Sequence, residues 1–213
     1  MDEWLVESLK KRDIEQVVML GAGHDSRVLR FSECFEGVKV FELDHPATQK
    51  RKKELLISNF KKIPENVNYV SIDLSYQKPL DELVKAGFDS NKKNIFILEG
   101  LIYYLPEEEV RKIFEFVKQN SCVDSEIIFD YFSKDLVDGT GDINGSFAIR
   151  SSVEKSGEPF LFGIEESKLE CFIESFNMTL SKRSDHQVLK NKYFQDRKSK
   201  VFSFAEICLA KCK

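Results

Sequence analysis

The chain has no excess of positive charge: 32 Lys and Arg stand against 36 Asp and Glu in 213 residues, a formal net of −4. A dedicated nucleic-acid binder normally carries a basic excess that displaces counterions, so no nucleic-acid partner is expected. No run approaches the roughly 20 apolar residues of a membrane span, and Met1-Asp2-Glu3-Trp4 lacks the basic-then-apolar start of a secretion signal. A soluble cytoplasmic protein with no membrane contact is the expectation. Histidine is scarce, only His24, His45 and His186, which leaves little for a multi-histidine metal centre, and no metal is expected. Five scattered cysteines, Cys34, Cys122, Cys171, Cys208 and Cys212, form no CxxC pair. They read as reduced, mostly buried thiols rather than a disulfide framework. Repeats, low-complexity tracts and Pro/Gly/Ser-rich linkers are also lacking, so one domain over 1–213 is expected. At this length folding buries roughly 70% of the unfolded chain's surface, which needs no staple.

What is present is an alternation of β-rich and helical runs. The patterning predicts helices over 2–12, 25–36, 46–61, 79–86 and 106–119. Between them it predicts strands at Val17–Leu20, Val38–Leu43, Val67–Ile72, Ile95–Leu98 and Ile127–Tyr131. That order means parallel βαβ units in an α/β fold. The helix from Pro106 is the most strongly marked: Pro suits a first turn, Glu107 to Glu109 complement the dipole, and Val110, Ile113, Phe114 and Val117 make one stripe. Leu169, Phe172, Ile173 and Phe176 form another. Met178–Leu189 and Val201–Ala210 read as extended runs joined by a basic loop with no helix, an antiparallel hairpin on the sheet edge. Residues 133–160, with Gly139, Gly141, Gly145 and Gly157, read as a loop or lid.

The chemistry gathers at the carboxyl ends of the early strands, where open α/β sheets bind ligands. Gly21, Ala22 and Gly23 end the first strand and let the backbone approach a nucleotide-like cofactor closely. Ser26 stands where a dinucleotide fingerprint needs a third glycine, which favours a single nucleoside without pyrophosphate. About 20 residues on, Glu42 and Asp44 share one side of the second strand. Either could accept from ribose hydroxyls, Asp44 being nearer the end, or both could pair with Arg27 and Arg30. Asp73 and Leu74 follow the third strand, where an acid can accept from an adenine amino group while a leucine packs on the ring. Glu99 follows the apolar run 95–98, a position at a cavity mouth where a sulfonium or ammonium would offset its desolvation. Asp25 reads as a helix-start acid with Arg27 as its ion pair. Lys50 to Lys53 reads as a solvated helix face. Tyr103 and Tyr104 suit an acceptor pocket or core packing equally.

The succession VVMLGAGHDSRVLRF (17–31), VFELDHPATQKRKKELL (40–56), IDL (72–74), AGFD (86–89) and FILEGLIYYLPEEEV (96–110), followed by EPFLFGIEESKLECFIESFNM (158–178), resembles the leucine carboxyl methyltransferase family. The likeness includes its bacterial, polyketide-type O-methyltransferase branch. It implies a Rossmann-like class I methyltransferase fold with a seven-stranded, mostly parallel sheet and an antiparallel closing strand. It also implies S-adenosyl-L-methionine as cofactor. Carried over by position, it places Gly21, Ala22 and Gly23 at the methionine part, Asp44 on ribose, Asp73 and Leu74 on adenine, and Glu99 with Gly100 beside the cofactor. One feature departs: the family has several dozen helical residues before the glycine strand, which cover the cofactor and supply an arginine for its carboxylate, whereas about a dozen stand here. Weak cofactor affinity is the expectation, with Arg27 or Lys11 as substitutes if binding is tight.

The expected reaction is methyl transfer to a carboxylate or hydroxyl oxygen of a small molecule or chain terminus. The alternatives are a nonenzymatic or degenerate adenosyl-cofactor binder, an NAD-dependent oxidoreductase and, against the net charge, an RNA methyltransferase. No dedicated base stands out, since His24 and His45 suit loop packing and the turn before Pro46, so an acidic, already ionised acceptor is expected.

Overall fold

The computed structural model describes residues 1–72, 79–140, 146–155, 157–195 and 205–213. Its centre is a seven-stranded sheet of β1 (Gln16–Leu20), β2 (Lys39–Asp44), β3 (Val67–Ser71), β4 (Asn94–Leu98), β5 (Glu126–Phe132), β6 (Met178–Ser184) and β7 (Ala205–Cys212). The order is β3-β2-β1-β4-β5-β7-β6, with β7 antiparallel to both of its neighbours and the other pairings parallel. β1 and β4 are buried along their whole length, which is why they read as unbroken apolar runs rather than alternating ones.

Nine helices are described: α1 (Asp2–Leu9), α2 (Arg27–Arg30), α3 (Pro46–Phe60), α4 (Pro79–Lys85), α5 (Glu107–Gln119), α6 (Lys134–Asp138), α7 (Ser146–Lys155), α8 (Leu169–Glu174) and α9 (His186–Tyr193). Alternation along the strands divides the core in two. Phe41, Leu43, Phe96, Leu98 and Phe129 face one side, where they meet Leu83 of α4, Phe114 of α5 and Phe172 of α8. Val17, Met19, Val40, Ile95, Ile97 and Ile128 face the other, under Leu5 and Leu9 of α1 and Val28 of α2. Pro106 caps α5 from just outside its first turn, and the expected stripe buries Val110, Phe114 and Val117.

Three expectations are corrected. The helix expected over 25–36 is α2 followed by a separate 3-10 turn, Ser32–Phe35. Phe31 leaves the helical region at φ −122°, with the Arg30 guanidinium 4.7 Å over its ring. The 133–160 segment carries α6 and α7 rather than only irregular chain; Gly139 ends α6 in a left-handed conformation, so that glycine is a helix stop. The final antiparallel pair forms, but its connection contains α9, the outer strand ends at Ser184, and β7 lies inside β6. Asp185 starts α9 by accepting from the Gln187 and Val188 N–H groups at 2.8 and 2.9 Å.

Candidate active site

At the carboxyl ends of β1 and β4 a cavity of about 460 Å3 opens, within the range typical of small-molecule sites. The glycine turn from Gly21 to Gly23, then His24 to Arg27, form one wall, and Glu99 and Gly100 form the other. Gly21 and Gly100 both take positive φ, 68° in each case. A β-carbon at Gly21 would stand 3.2 Å from Leu101, a tight approach in addition to the backbone strain.

Asp44 sits beside this turn. Its Oδ2 accepts the Gly23 N–H at 2.5 Å and its Oδ1 accepts the His45 N–H at 2.6 Å. Each carboxylate oxygen keeps a lone pair for a further donor. Glu42, the alternative two residues earlier, is engaged elsewhere: it is buried and bonded to Lys52 Nζ at 2.6 Å. Burial raises its pKa while Lys52 opposes the shift. This corrects two expectations at once. Glu42 pairs with neither Arg27 nor Arg30, and Lys52 leaves the supposed solvated face because Glu42, buried on the same side, requires a cation. Lys53 is not free of the fold either, lying 4.6 Å over the Tyr69 ring.

Arg27 is the hub of the cavity wall. Its guanidinium is buried and contacts three carboxylates: Asp2 at 2.7 Å, Asp25 and Glu99. Burial works against its charge, but Asp25, Glu99 and Asp2 hold its pKa above the ordinary arginine value. Asp25 also accepts the Arg27 N–H at 2.7 Å, the helix-start role expected of it. Arg30 Nη1 contacts Asp2 at 2.5 Å and is half exposed. Glu99 does stand at the cavity, half exposed, with its charge directed at Arg27. His45 caps α3, its Nδ1 accepting the Ala47 N–H at 3.2 Å, while His24 lines the cavity wall. Asp73 and Leu74 lie outside the described residues.

One group escaped the sequence reading. Asp130, near the end of β5, accepts the Gly100 N–H at 2.9 Å through Oδ1. Burial, with Glu99 adding to it, pushes its carboxyl up to about 6, against the effect of the Gly100 N–H. The available signal was a lone acid in the apolar run Ile127-Ile128-Phe129-Asp130-Tyr131. Tyr103 is buried and stacked on Phe132 with ring centroids 3.9 Å apart, and Phe160 meets both rings edge-on. Tyr104 tilts against Tyr103 at 4.7 Å and is half buried.

A sheet ordered 3-2-1-4-5-7-6 with a glycine turn, an acid at the end of β2 and an acid after β4 is the class I methyltransferase architecture. The solved structures agree on the fold. A DUF574-family protein from Streptomyces avermitilis superposes with TM-score 0.70 over 100% of this chain and 80% of its own, at 13% identity. Magnesium protoporphyrin IX methyltransferase from Synechocystis, crystallised with SAH, gives 0.61 over 100% and 81%, at 12% identity. The leucine carboxyl methyltransferase model matches residues 1–118, and the chain belongs to that family. A Bacillus subtilis (strain 168) protein, YktD, provisionally named an S-adenosyl-L-methionine-dependent methyltransferase, is 30% identical over 193 residues. That match covers 91% of this chain and 63% of YktD. A similarly named protein of Mycolicibacterium smegmatis is 36% identical over 120 residues, 56% of this chain and 37% of its own. The chain thus spans less than two thirds of these relatives' lengths.

Proposed function

We propose that this chain is an S-adenosyl-L-methionine-dependent O-methyltransferase domain, acting in the cytoplasm on a carboxylate or hydroxyl oxygen of a small molecule or chain terminus. The observation that carries this reading is Asp44, fixed by the Gly23 N–H at the point where the glycine turn meets the end of β2. There a ribose can donate to the carboxylate while the rest of an adenosyl cofactor lies along Gly21, Ala22 and Gly23.

The electrostatics fit the group. Among the described residues, Asp25 and Glu99 line the cavity with Arg27 and Arg30, Asp2 pairs with both arginines, and Asp44 accepts from the Gly23 N–H of the glycine turn. The excess of negative charge suits a ligand carrying a sulfonium and an ammonium. When bound, the cofactor supplies an electrophilic methyl group. The protein's part is alignment: Asp44 would anchor the ribose, Gly21 and Gly100 allow close backbone approach, and Glu99 would face the cationic end. Alignment and exclusion of water are the principal sources of rate in such a displacement.

Calorimetry with S-adenosylmethionine, S-adenosylhomocysteine and NAD tests the assignment. Binding of the first two and not the third is expected; binding of NAD alone would give the site to an oxidoreductase.

A further inference from the structure

Beyond Gly100, which lines the cavity, a second group of side chains comes together. Three groups converge on this glycine. Asp130 accepts its N–H, Glu99 precedes it, and the Tyr103 hydroxyl lies 3.7 Å from where a β-carbon would stand. Tyr103, Tyr104, Phe132 and Phe160 pack together at this corner, with rings from three separate stretches of chain.

Charge decides what such a corner can accept. An ionised acceptor would approach Asp130 and Glu99 together, and the nearest cation, Arg27, already faces three carboxylates. Arg30 is tied to Asp2. A neutral acceptor meets no such repulsion, its apolar body can lie on the rings, and its O–H has an acceptor in the Asp130 carboxylate.

Resting on the methyltransferase reading, we propose that Asp130 is the base of this site and that the methylated group is a neutral hydroxyl on a flat, apolar molecule, with Tyr103 orienting it. As the hydroxyl oxygen's lone pair forms the new O–CH3 bond, the C–S bond breaks with its electrons left on sulfur, and the hydroxyl proton passes to Asp130, which returns it to water. A carboxyl pushed up to about 6 is ionised at neutral pH yet basic enough to take that proton. The ionisable groups facing it are Glu99 from the end of β4, Arg27 from α2, and Tyr103 and Tyr104 from the turn after Gly100. The sequence, which offered no base, pointed toward an acidic acceptor; Asp130 removes that reason.

The test uses two flat probes, 2-naphthol and 2-naphthoate, titrated into the protein saturated with S-adenosylhomocysteine, between about pH 5 and 7, where the first is neutral and the second ionised. Naphthol is expected to bind at least about tenfold more tightly than naphthoate, and to weaken as pH falls through the Asp130 titration. Asp130→Asn should lower naphthol affinity about tenfold, the worth of a charged hydrogen bond, and flatten that pH dependence. It should leave S-adenosylhomocysteine binding unchanged. Tyr103→Phe, which keeps the ring stack, should weaken naphthol severalfold and provides the test if Asp130→Asn does not fold. Naphthoate binding as tightly as naphthol, no naphthol binding, or naphthol binding indifferent to the substitutions would overturn the proposal while leaving the methyltransferase reading intact. Failure of S-adenosylhomocysteine itself to bind would overturn both.

Discussion

At the scale of single residues, the site is a set of carboxylates distinguished by their partners. Asp44 and Glu42 differ by one turn of the pleat, yet one meets a backbone N–H at the cavity and the other a buried ammonium. Asp44→Ala is therefore expected to weaken S-adenosylhomocysteine binding by about 1–3 kcal/mol, the loss of a charged acceptor for ribose, with the fold retained. Calorimetry checks it, and unchanged affinity would dismiss the ribose role. Asp130 yields a stability prediction independent of ligand. Its carboxyl titrates near 6 in the folded chain against about 4 unfolded, so the native state holds the proton more tightly. Its contribution to stability is present in full below about pH 4 and is lost as pH rises through about 6. Asp130→Asn should thus match the wild type in stability near pH 4 and exceed it by about 1–3 kcal/mol at pH 7. Urea unfolding at the two pH values measures this, and an equal difference at both would refute it. From sequence, the position of Asp44 beside the glycine turn was legible because its distance from the glycines is set by one βαβ unit. The Glu42–Lys52 pair was not legible, because a buried cation within a run of four basic residues looks like its solvated neighbours.

At the scale of elements, legibility followed length and periodicity. The five parallel strands and α3, α4 and α5 lie where their patterns put them, since a long stripe or a fully apolar run has one way to be buried. Two helices escaped their patterns. α9 starts on Asp185, which in sequence is one polar residue among many. α2 ends at Arg30 because Phe31 leaves the helical region, a local conflict that propensity does not register. α9 also ties the last hairpin to the front of the molecule: Lys192 and Tyr193 both reach Glu3 of α1. If the Asp185 cap carries α9, Asp185→Ala should destabilise that helix by about 1 kcal/mol. Hydrogen exchange should then quicken in α9 and not in β6. Uniform acceleration across both would mean that α9 and the edge strand open as one unit.

At the scale of the whole molecule, a modest formal charge of −4 conceals an uneven distribution. The basic residues of α3 and α9 are largely turned to local acids or rings, whereas among the described residues Asp25 and Glu99 line the cavity at the strand ends with Arg27 and Arg30, and Asp2 on those arginines and Asp44 on the glycine turn add to the negative charge nearby. That excess is a field rather than a contact. It acts on any ligand in proportion to charge, and so distinguishes the sulfonium cofactor from its thioether product, which carries one positive charge fewer. At ionic strengths near 0.01 M, where the Debye length is about 30 Å, S-adenosylmethionine should bind about three- to tenfold more tightly than S-adenosylhomocysteine. Raising the salt to about 1 M, where that length falls to about 3 Å, should shrink the ratio for the solvent-facing part of the field, that from half-exposed Glu99 and from Asp2. The same field would hasten product departure, because transfer of the methyl group removes the charge that held the cofactor. Paired titrations at the two salt concentrations decide the matter. Equal affinities at low salt, or tighter binding of the thioether there, would mean that Arg27 and Arg30 neutralise the cavity completely and that its carboxylates serve to position the arginines.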